Sequence, residues 1–517
     1  MSDFEKIDNI GHKVYSFLTR PKVVKLTCYA AMVVFLGCLS IGIILAQLDP
    51  DGFNFIKNFI SDLGSYNHTP FPKFLDDTAI YTALFLIPLT FYMEKELRGA
   101  GEEEGSLMRQ RLASYGLLTM IIGLIGLWGI GVFNEDVGGA FGAIIMGLDW
   151  HQIFSAVVFL GFGSAGLFYG LIVVFYKTKL PKMLGIYMIF VPLTLAVIYL
   201  LTIYIPLEWI LLLSLFGYLI PSGLIFVRAI NREQGWKEPK EKEKISLKEK
   251  LVKNINALHD FLTNPKVVKI CITLFFIVWI PSLICGYIFA NVFDPLSSLP
   301  DGGYDIFRNM ISDLGSLRFT PMPKFLDDAA MFSAIVMVPA IFYLKKKMCS
   351  AAQLKAEEKS PDIKGKVNKV LKFVLSNLGL IFGLGAMVGF FGIGFFSEDL
   401  GDAVDSIGLD LSGIGSHFFF SVWVFGCLCI SGLFIGIYMT MYPKTIKEKY
   451  QIEKIHWVVF SVFGLVMIFW PPTHAFLFLA GAPPSRAFHE WFMLFAVLAW
   501  VYPVFYILRK HAIKDLT

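Results

Sequence analysis

The stretch ISDLGSYNHTPFPKFLDD at residues 60–77 returns as ISDLGSLRFTPMPKFLDD at residues 311–328. The shared letters include polar residues, so common hydrophobic composition does not explain the agreement. A repeat of about 250 residues predicts a tandem duplication of a whole domain rather than a solenoid of short units. The agreement continues in register on both sides, and the flanking matches are FLTRPKVVK (17–25) with FLTNPKVVK (261–269) and GVFNED (131–136) with GFFSED (394–399).

The composition is that of a membrane protein, because 56% of the 517 residues are hydrophobic and only 17% are charged. Apolar runs of about 20 residues, enough to cross roughly 30 Å of hydrocarbon, recur along the chain. The runs are continuous, whereas strands of a membrane barrel alternate in polarity. We therefore predict an all-α polytopic membrane protein with about 12 transmembrane helices, at 26–47, 77–93, 111–133, 150–176, 183–204, 208–227, 267–292, 327–344, 371–396, 414–441, 455–479 and 489–508.

The distribution of charge predicts the topology. Lysine and arginine crowd both termini and the segment EPKEKEKISLKEK, whereas the loops at 134–149 and 397–416 contain acidic residues and neither lysine nor arginine. By the positive-inside rule, both termini are expected in the cytoplasm. Six spans per half then make the halves parallel repeats. The predicted domains are a first membrane repeat (1–228), a charged cytoplasmic linker (229–258) and a second membrane repeat (259–517).

The repeated polar residues nominate a site, because this topology puts all of them on the outer side of the membrane. Ionisable groups at the ends of membrane helices are costly to bury and are functional candidates for that reason. The pocket candidates of the first half are Ser61, Asp62, Asp76, Asp77, Glu135, Asp136, His151, Ser155 and Glu208. Those of the second half are Ser312, Asp313, Asp327, Asp328, Glu398, Asp399, His417, Ser421 and Glu490.

Two interpretations of these residues stay open. Carboxylates near a helix N-terminus favour its dipole, and Ser-Asp before Leu-Gly is ordinary capping and turn chemistry. Each histidine fits a hydrogen-bonded core residue as well as a ligand or proton relay. A histidine with nearby carboxylates also suits zinc or another divalent metal, with His151 and His417 as the nominated ligands. We find no Walker A loop, HExxH or G-x-S-x-G motif, so the catalytic residues and the enzymatic status are left unassigned.

The order ISDLGS, a second span, G-x-F-x-x-D, a histidine opening a span and a glutamate opening the last span resembles the six-span domain-of-unknown-function 998 (DUF998) family. The matching residues are Ser61 to Gly64, Phe133 to Asp136, His151 and Glu208, with their second-half partners. The chain thus looks like two such domains in tandem. The family is broadly similar to the Frag1/DRAM/Sfk1 group, which is linked to lipid and glycosylphosphatidylinositol-anchor biology. The resemblance implies a six-span fold and lipid handling at the outer leaflet.

The favoured hypothesis is an outer-face pocket of carboxylates and histidine that binds or remodels a lipid or glycolipid headgroup. A cation-coupled transporter is the first alternative, since parallel pseudo-symmetric halves with acidic residues occur in such proteins. A structural partner of another membrane protein is the second. Membrane lipids are the expected partners, and no nucleic-acid partner is expected.

Overall fold

The structure is a computed structural model of the chain. It describes residues 3–48, 52–99, 107–142, 147–202, 204–233, 247–292, 304–349, 363–408, 414–443 and 457–516. The chain divides into two compact units, Met1–Lys242 and Glu243–Thr517. Most of the predicted linker's basic segment, residues 234–246, lies outside the described residues.

Within the described ranges all regular structure is helical. The helices of the first unit are α1 (Asp3–Leu18), α2 (Pro21–Leu45), α3 (Lys73–Arg98), α4 (Leu107–Val132), α5 (Glu135–Ala140), α6 (Trp150–Phe175), α7 (Lys182–Thr202) and α8 (Ile205–Glu233). Those of the second unit are α9 (Leu247–Leu262), α10 (Pro265–Val292), α11 (Lys324–Met348), α12 (Ile363–Phe395), α13 (Glu398–Ser406), α14 (Ser416–Met441), α15 (Trp457–Leu479) and α16 (Arg486–Lys514). Single 3₁₀ turns occupy Ala46–Leu48, Ser61–Gly64 and Ser312–Gly315.

Twelve of these helices are long and apolar enough to cross a membrane, six in each unit. They confirm the predicted all-α class and make the chain an integral membrane protein. Many of the spans extend several residues beyond the predicted apolar runs, as in α8, which begins at Ile205 and ends at Glu233. A helix continues past the hydrocarbon because its backbone hydrogen bonds remain satisfied in water, so an apolar run underestimates its length.

In each unit the six spanning helices form a ring in chain order. In the first unit α2, α3, α4, α6, α7 and α8 pack each against the next, and α8 returns to α2. The second unit repeats this order with α10, α11, α12, α14, α15 and α16. Helices that are consecutive in the chain are thus neighbours in space, as in an up-and-down bundle.

Glycines allow close contact between α4 and α6 in the first unit and between α12 and α14 in the second. A Cβ on Gly126 would lie 2.6 Å from the backbone nitrogen of Val158, and one on Gly123 would lie 3.0 Å from that of Phe162. In the second unit a Cβ on Gly389 would lie 2.8 Å from the backbone nitrogen of Val424. Only glycine permits these backbones to approach so closely, as is common between membrane helices.

The segment before each Ser-Asp-Leu-Gly motif differs from expectation. The segment DGFNFIKNFISDLGS is apolar on one side and polar on the other, which predicts a short helix at the membrane interface that ends at Gly64. Its described part instead forms turns that lead into the 3₁₀ turn Ser61–Gly64. Polar side chains in the segment explain the difference, because Asn58 accepts a hydrogen bond from the backbone N–H of Asn54 and Asn54 accepts one from Ile56. Such local bonds compete with helix formation.

Candidate functional site

Each unit has one Ser-Asp-Leu-Gly turn, which lies at one end of its helix ring. We call this end the motif end. The last spanning helix holds the turn in place. The backbone N–H of Ile60 donates to Glu208 Oε2 over 2.7 Å, and the indole N–H of Trp209 donates to the carbonyl of Asn58 over 3.1 Å. The second unit has the same two bonds, from Ile311 to Glu490 (3.0 Å) and from Trp491 to the Asn309 carbonyl (3.1 Å). The repeated Glu-Trp pair therefore fixes the turn.

The repeated aspartates at the turn also have structural partners. Asp62 Oδ2 accepts from the backbone N–H of Phe59 (2.9 Å), and Asp136 accepts from the Ser65 hydroxyl (2.6 Å) and the Tyr66 N–H (3.0 Å). The same bonds recur at Asp313 and Asp399. These carboxylates replace water as acceptors for backbone N–H groups of the loop. This is the structural role, capping and turn chemistry, that the sequence left open.

Ten of the eighteen nominated residues line a cavity. In the first unit a cavity of about 60 Å³ lies inside the helix ring at the motif end. In the second unit a cavity of about 80 Å³ occupies the corresponding place. The polar residues that line them are Ser61, Asp76, His151, Ser155 and Glu208 in the first, and Ser312, Asp327, His417, Ser421 and Glu490 in the second. In both units the same five of the nine repeated positions line the cavity.

The remaining eight candidates lie outside the cavities. They are the turn residues Asp62 and Asp313, the residues Asp77 and Asp328 just after the first turns of α3 and α11, and Glu135, Asp136, Glu398 and Asp399 of the short helices α5 and α13. The nominated residues of each unit therefore form two groups: five that line the cavity, and four that do not, which we call the acidic layer.

The histidines face the cavities in a defined tautomer. His151 Nδ1 lies 3.0 Å from the carbonyl of Phe133, and His417 Nδ1 lies 2.6 Å from that of Phe396. A carbonyl oxygen only accepts, so Nδ1 carries the proton and Nε2 of the neutral ring is an acceptor. Ser421 Oγ is 3.4 Å from His417 Nε2, one helical turn along the same face.

Beyond these polar groups the cavities are apolar. In the first unit Phe35, Leu127 and Val158 line both the polar cavity and a second cavity of about 80 Å³ that reaches Cys28 near the start of α2. This second cavity is hydrophobic except for the hydroxyl-bearing Thr82. In the second unit one cavity runs from Glu490 to Met337 and Val501. Each unit thus has a polar head region next to an apolar region, which we call the shaft; the two adjoin in the first unit and form one cavity in the second. No lysine or arginine is among the described residues that line these cavities.

The acidic layer contains one pair of facing carboxyl groups in each unit, Glu135 with Asp62 and Glu398 with Asp313. Burial, and after it the charge of Asp62, raises the pKa of Glu135 to about 7. Burial and the charge of Asp313 raise the pKa of Glu398 in the same way. Two carboxyl groups that face each other favour a state in which they share one proton over a state in which both are ionised.

One residue beside this layer was missed from the sequence. Ligand atoms of Asp62, His68 and Glu135 all lie within 4.8 Å of one another, the one such group of three in the described ranges. His68 was overlooked because its second-half counterpart is Phe319, and only repeated residues were selected. The group includes neither His151 nor His417, whose nomination as metal ligands stays a prediction.

Comparison with known proteins agrees with the fold. Residues 30–230 match the family model described as a protein of unknown function, DUF998. The matched segment includes all but the first and last few residues of the six-helix ring of the first unit, and it includes the five polar residues that line the first-unit cavity. No curated protein and no solved structure matches the chain.

Proposed function

We propose that each unit binds one membrane lipid, with its headgroup against the polar end of the cavity and one chain in the apolar shaft. The observation that carries the proposal is the amphipathic cavity, formed twice by the same five polar positions. A lipid is the ligand class whose own polarity changes in the same way along its length. On this proposal the second unit is a second domain of the DUF998 type, which its matching motif-end hydrogen bonds support.

The polar lining favours a headgroup rich in hydroxyl groups, such as a sugar. Carboxyl groups of Asp76 and Glu208, the hydroxyl of Ser155 and Nε2 of His151 supply mainly acceptors. A phosphate would bring negative charge beside two carboxyl groups and would meet no lining cation among the described residues. The distribution of lysine and arginine supports placing the motif end at the outer face, with both termini in the cytoplasm.

Substitutions in the shaft test the proposal, because they leave the residues of the Ser-Asp-Leu-Gly turn unchanged. Val158 and Val424 line the two shafts, and a phenylalanine at each position would fill the space that we assign to the chain. We expect native mass spectrometry of full-length protein in mild detergent to show two retained lipids in the wild type. The double variant Val158→Phe/Val424→Phe should retain none, because the shafts are blocked.

Exposed positions of the same two helices provide the control. Leu160 and Val422 are each 38% exposed, on the outer surfaces of α6 and α14. Leu160→Phe/Val422→Phe adds similar bulk and should retain both lipids. Retention of both by the shaft variant, or their absence from the wild type, would contradict the proposal.

A further inference from the structure

The two carboxyl pairs of the acidic layer have different neighbours in the two units. In the second unit Arg318 lies near the pair, its guanidinium carbon 5.3 Å from the centre of the Phe319 ring and its charge favouring ionisation of Asp313. In the first unit the same two positions hold Asn67 and His68. The first pair therefore has the imidazole of His68 as a neighbour. The second pair has a permanent cation instead, Arg318, which lies one position earlier in its copy of the repeat.

The first-unit group has the composition and spacing of a metal site. Asp62 is 6% exposed, and Oε2 of Glu135 is removed from water without a hydrogen-bond partner, as is Oε2 of Glu398 in the second unit. What distinguishes the first unit is therefore the imidazole of His68 beside the two carboxyl groups. Ligands of a tetrahedral zinc ion lie about 2.0–2.2 Å from the metal and hence about 3.3 Å from each other. The ligand atoms lie within 4.8 Å, so a movement of about 1 Å, within the reach of side-chain rotation, would close the site.

We propose that Asp62, His68 and Glu135 bind a divalent transition metal ion of the zinc type, and that the second unit has no equivalent site. One nitrogen and two carboxylate ligands suit zinc and leave one coordination position for water or substrate. The ion would also neutralise the two carboxylates, the task that Arg318 performs in part for Asp313. The site lies outside the lipid cavity, so the inference does not rest on the proposed function.

The difference between the units supplies a reciprocal experiment. Full-length protein purified without a polyhistidine tag would be equilibrated with micromolar zinc, and bound metal measured by elemental mass spectrometry. We expect one bound ion in the wild type. In His68→Phe the affinity for zinc should fall by at least about 10- to 100-fold, since the loss even of a residue that only supports a ligand has that effect. The second-unit pair should gain an ion when Arg318→Asn and Phe319→His give it the first-unit residues.

Two further variants remove ambiguity. Glu135→Gln keeps the shape of the side chain and should also lose the metal, which protects the test if His68→Phe folds poorly. His151→Ala/His417→Ala should keep the metal, whereas the sequence-based hypothesis predicts its loss. An apoprotein at micromolar zinc, or one ion retained by both His68→Phe and Glu135→Gln, would overturn the proposal.

Discussion

Carboxyl groups at the motif end fall into three classes by what they contact. Asp62 and Asp136 accept hydrogen bonds from loop backbone groups, Asp76 lines the cavity, and Glu135 faces another carboxyl group. Glu208 belongs to two classes, because it lines the cavity and accepts from Ile60. All of them recur in both halves, so repetition alone could not separate structural from ligand-facing residues. Repetition also gave no signal for His68, because its counterpart in the second half is Phe319.

The raised pKa of Glu398 has a consequence for stability. Unfolded chains release the proton of a glutamate near pH 4.5, whereas the folded protein retains it to higher pH because burial, and after it the charges of Asp313, Asp399 and Asp402, disfavour the carboxylate of Glu398. Between these values the folded state binds more protons, so the free energy of unfolding falls as pH rises. Glu398→Gln removes this dependence. We expect it to stabilise the protein at pH 8 by about 1 kcal/mol, allowing for solvent screening, or roughly 2–4 °C.

Thermal unfolding of wild type and Glu398→Gln at pH 5 and pH 8, followed by circular dichroism in detergent, measures this effect. The difference in midpoint should be larger at pH 8 than at pH 5. An equal difference at both values would show that Glu398 is ionised in the folded protein throughout. Glu249→Gln on α9 is a suitable control, because this glutamate lies on the exposed surface.

At the scale of elements, the spans were predictable and the connections were not. Apolar runs identify all twelve helices because membrane insertion depends on summed hydrophobicity. The segment before Ser61 resembles an amphipathic helix, but its asparagine side chains bond to nearby backbone groups instead. Gly64 was expected to end that helix with a left-handed residue. Its φ angle is not positive, and it is required for a different reason, the close approach of the turn to α3.

That close approach can be tested by adding one methyl group. A Cβ on Gly64 or Gly315 would collide with the carboxylate of Asp76 or Asp327. We expect Gly64→Ala and Gly315→Ala each to cost about 1–3 kcal/mol, the usual range for overpacking, and to lower the thermal midpoint by several degrees. Gly37→Ala and Gly426→Ala are matched controls because nothing lies within 4 Å of their added Cβ. Equal midpoints for all four variants would show that the turn has room to move.

At the scale of the whole molecule, each unit contains a complete site. The cavities of the first unit are lined only by residues between Cys28 and Ile220, and that of the second only by residues between Phe275 and Val501. The internal repeat in the sequence predicted two sites, but it could not predict an enclosed cavity. That depends on which faces of non-adjacent helices meet, as when His151 of α6 and Glu208 of α8 line one space.

Self-contained sites predict independent occupancy. Val158→Phe alone should reduce the retained lipids from two to one, and Val424→Phe alone should do the same, because each ring fills the shaft of its own unit. Native mass spectrometry of the two single variants beside the double variant measures the numbers directly. If the remaining lipid has the same mass in both single variants, the units bind the same lipid. Different masses would instead reflect the apolar walls, which differ between the shafts at positions such as Phe35 and Trp279. Loss of both lipids from either single variant would show that the two sites are coupled, contrary to their separate linings.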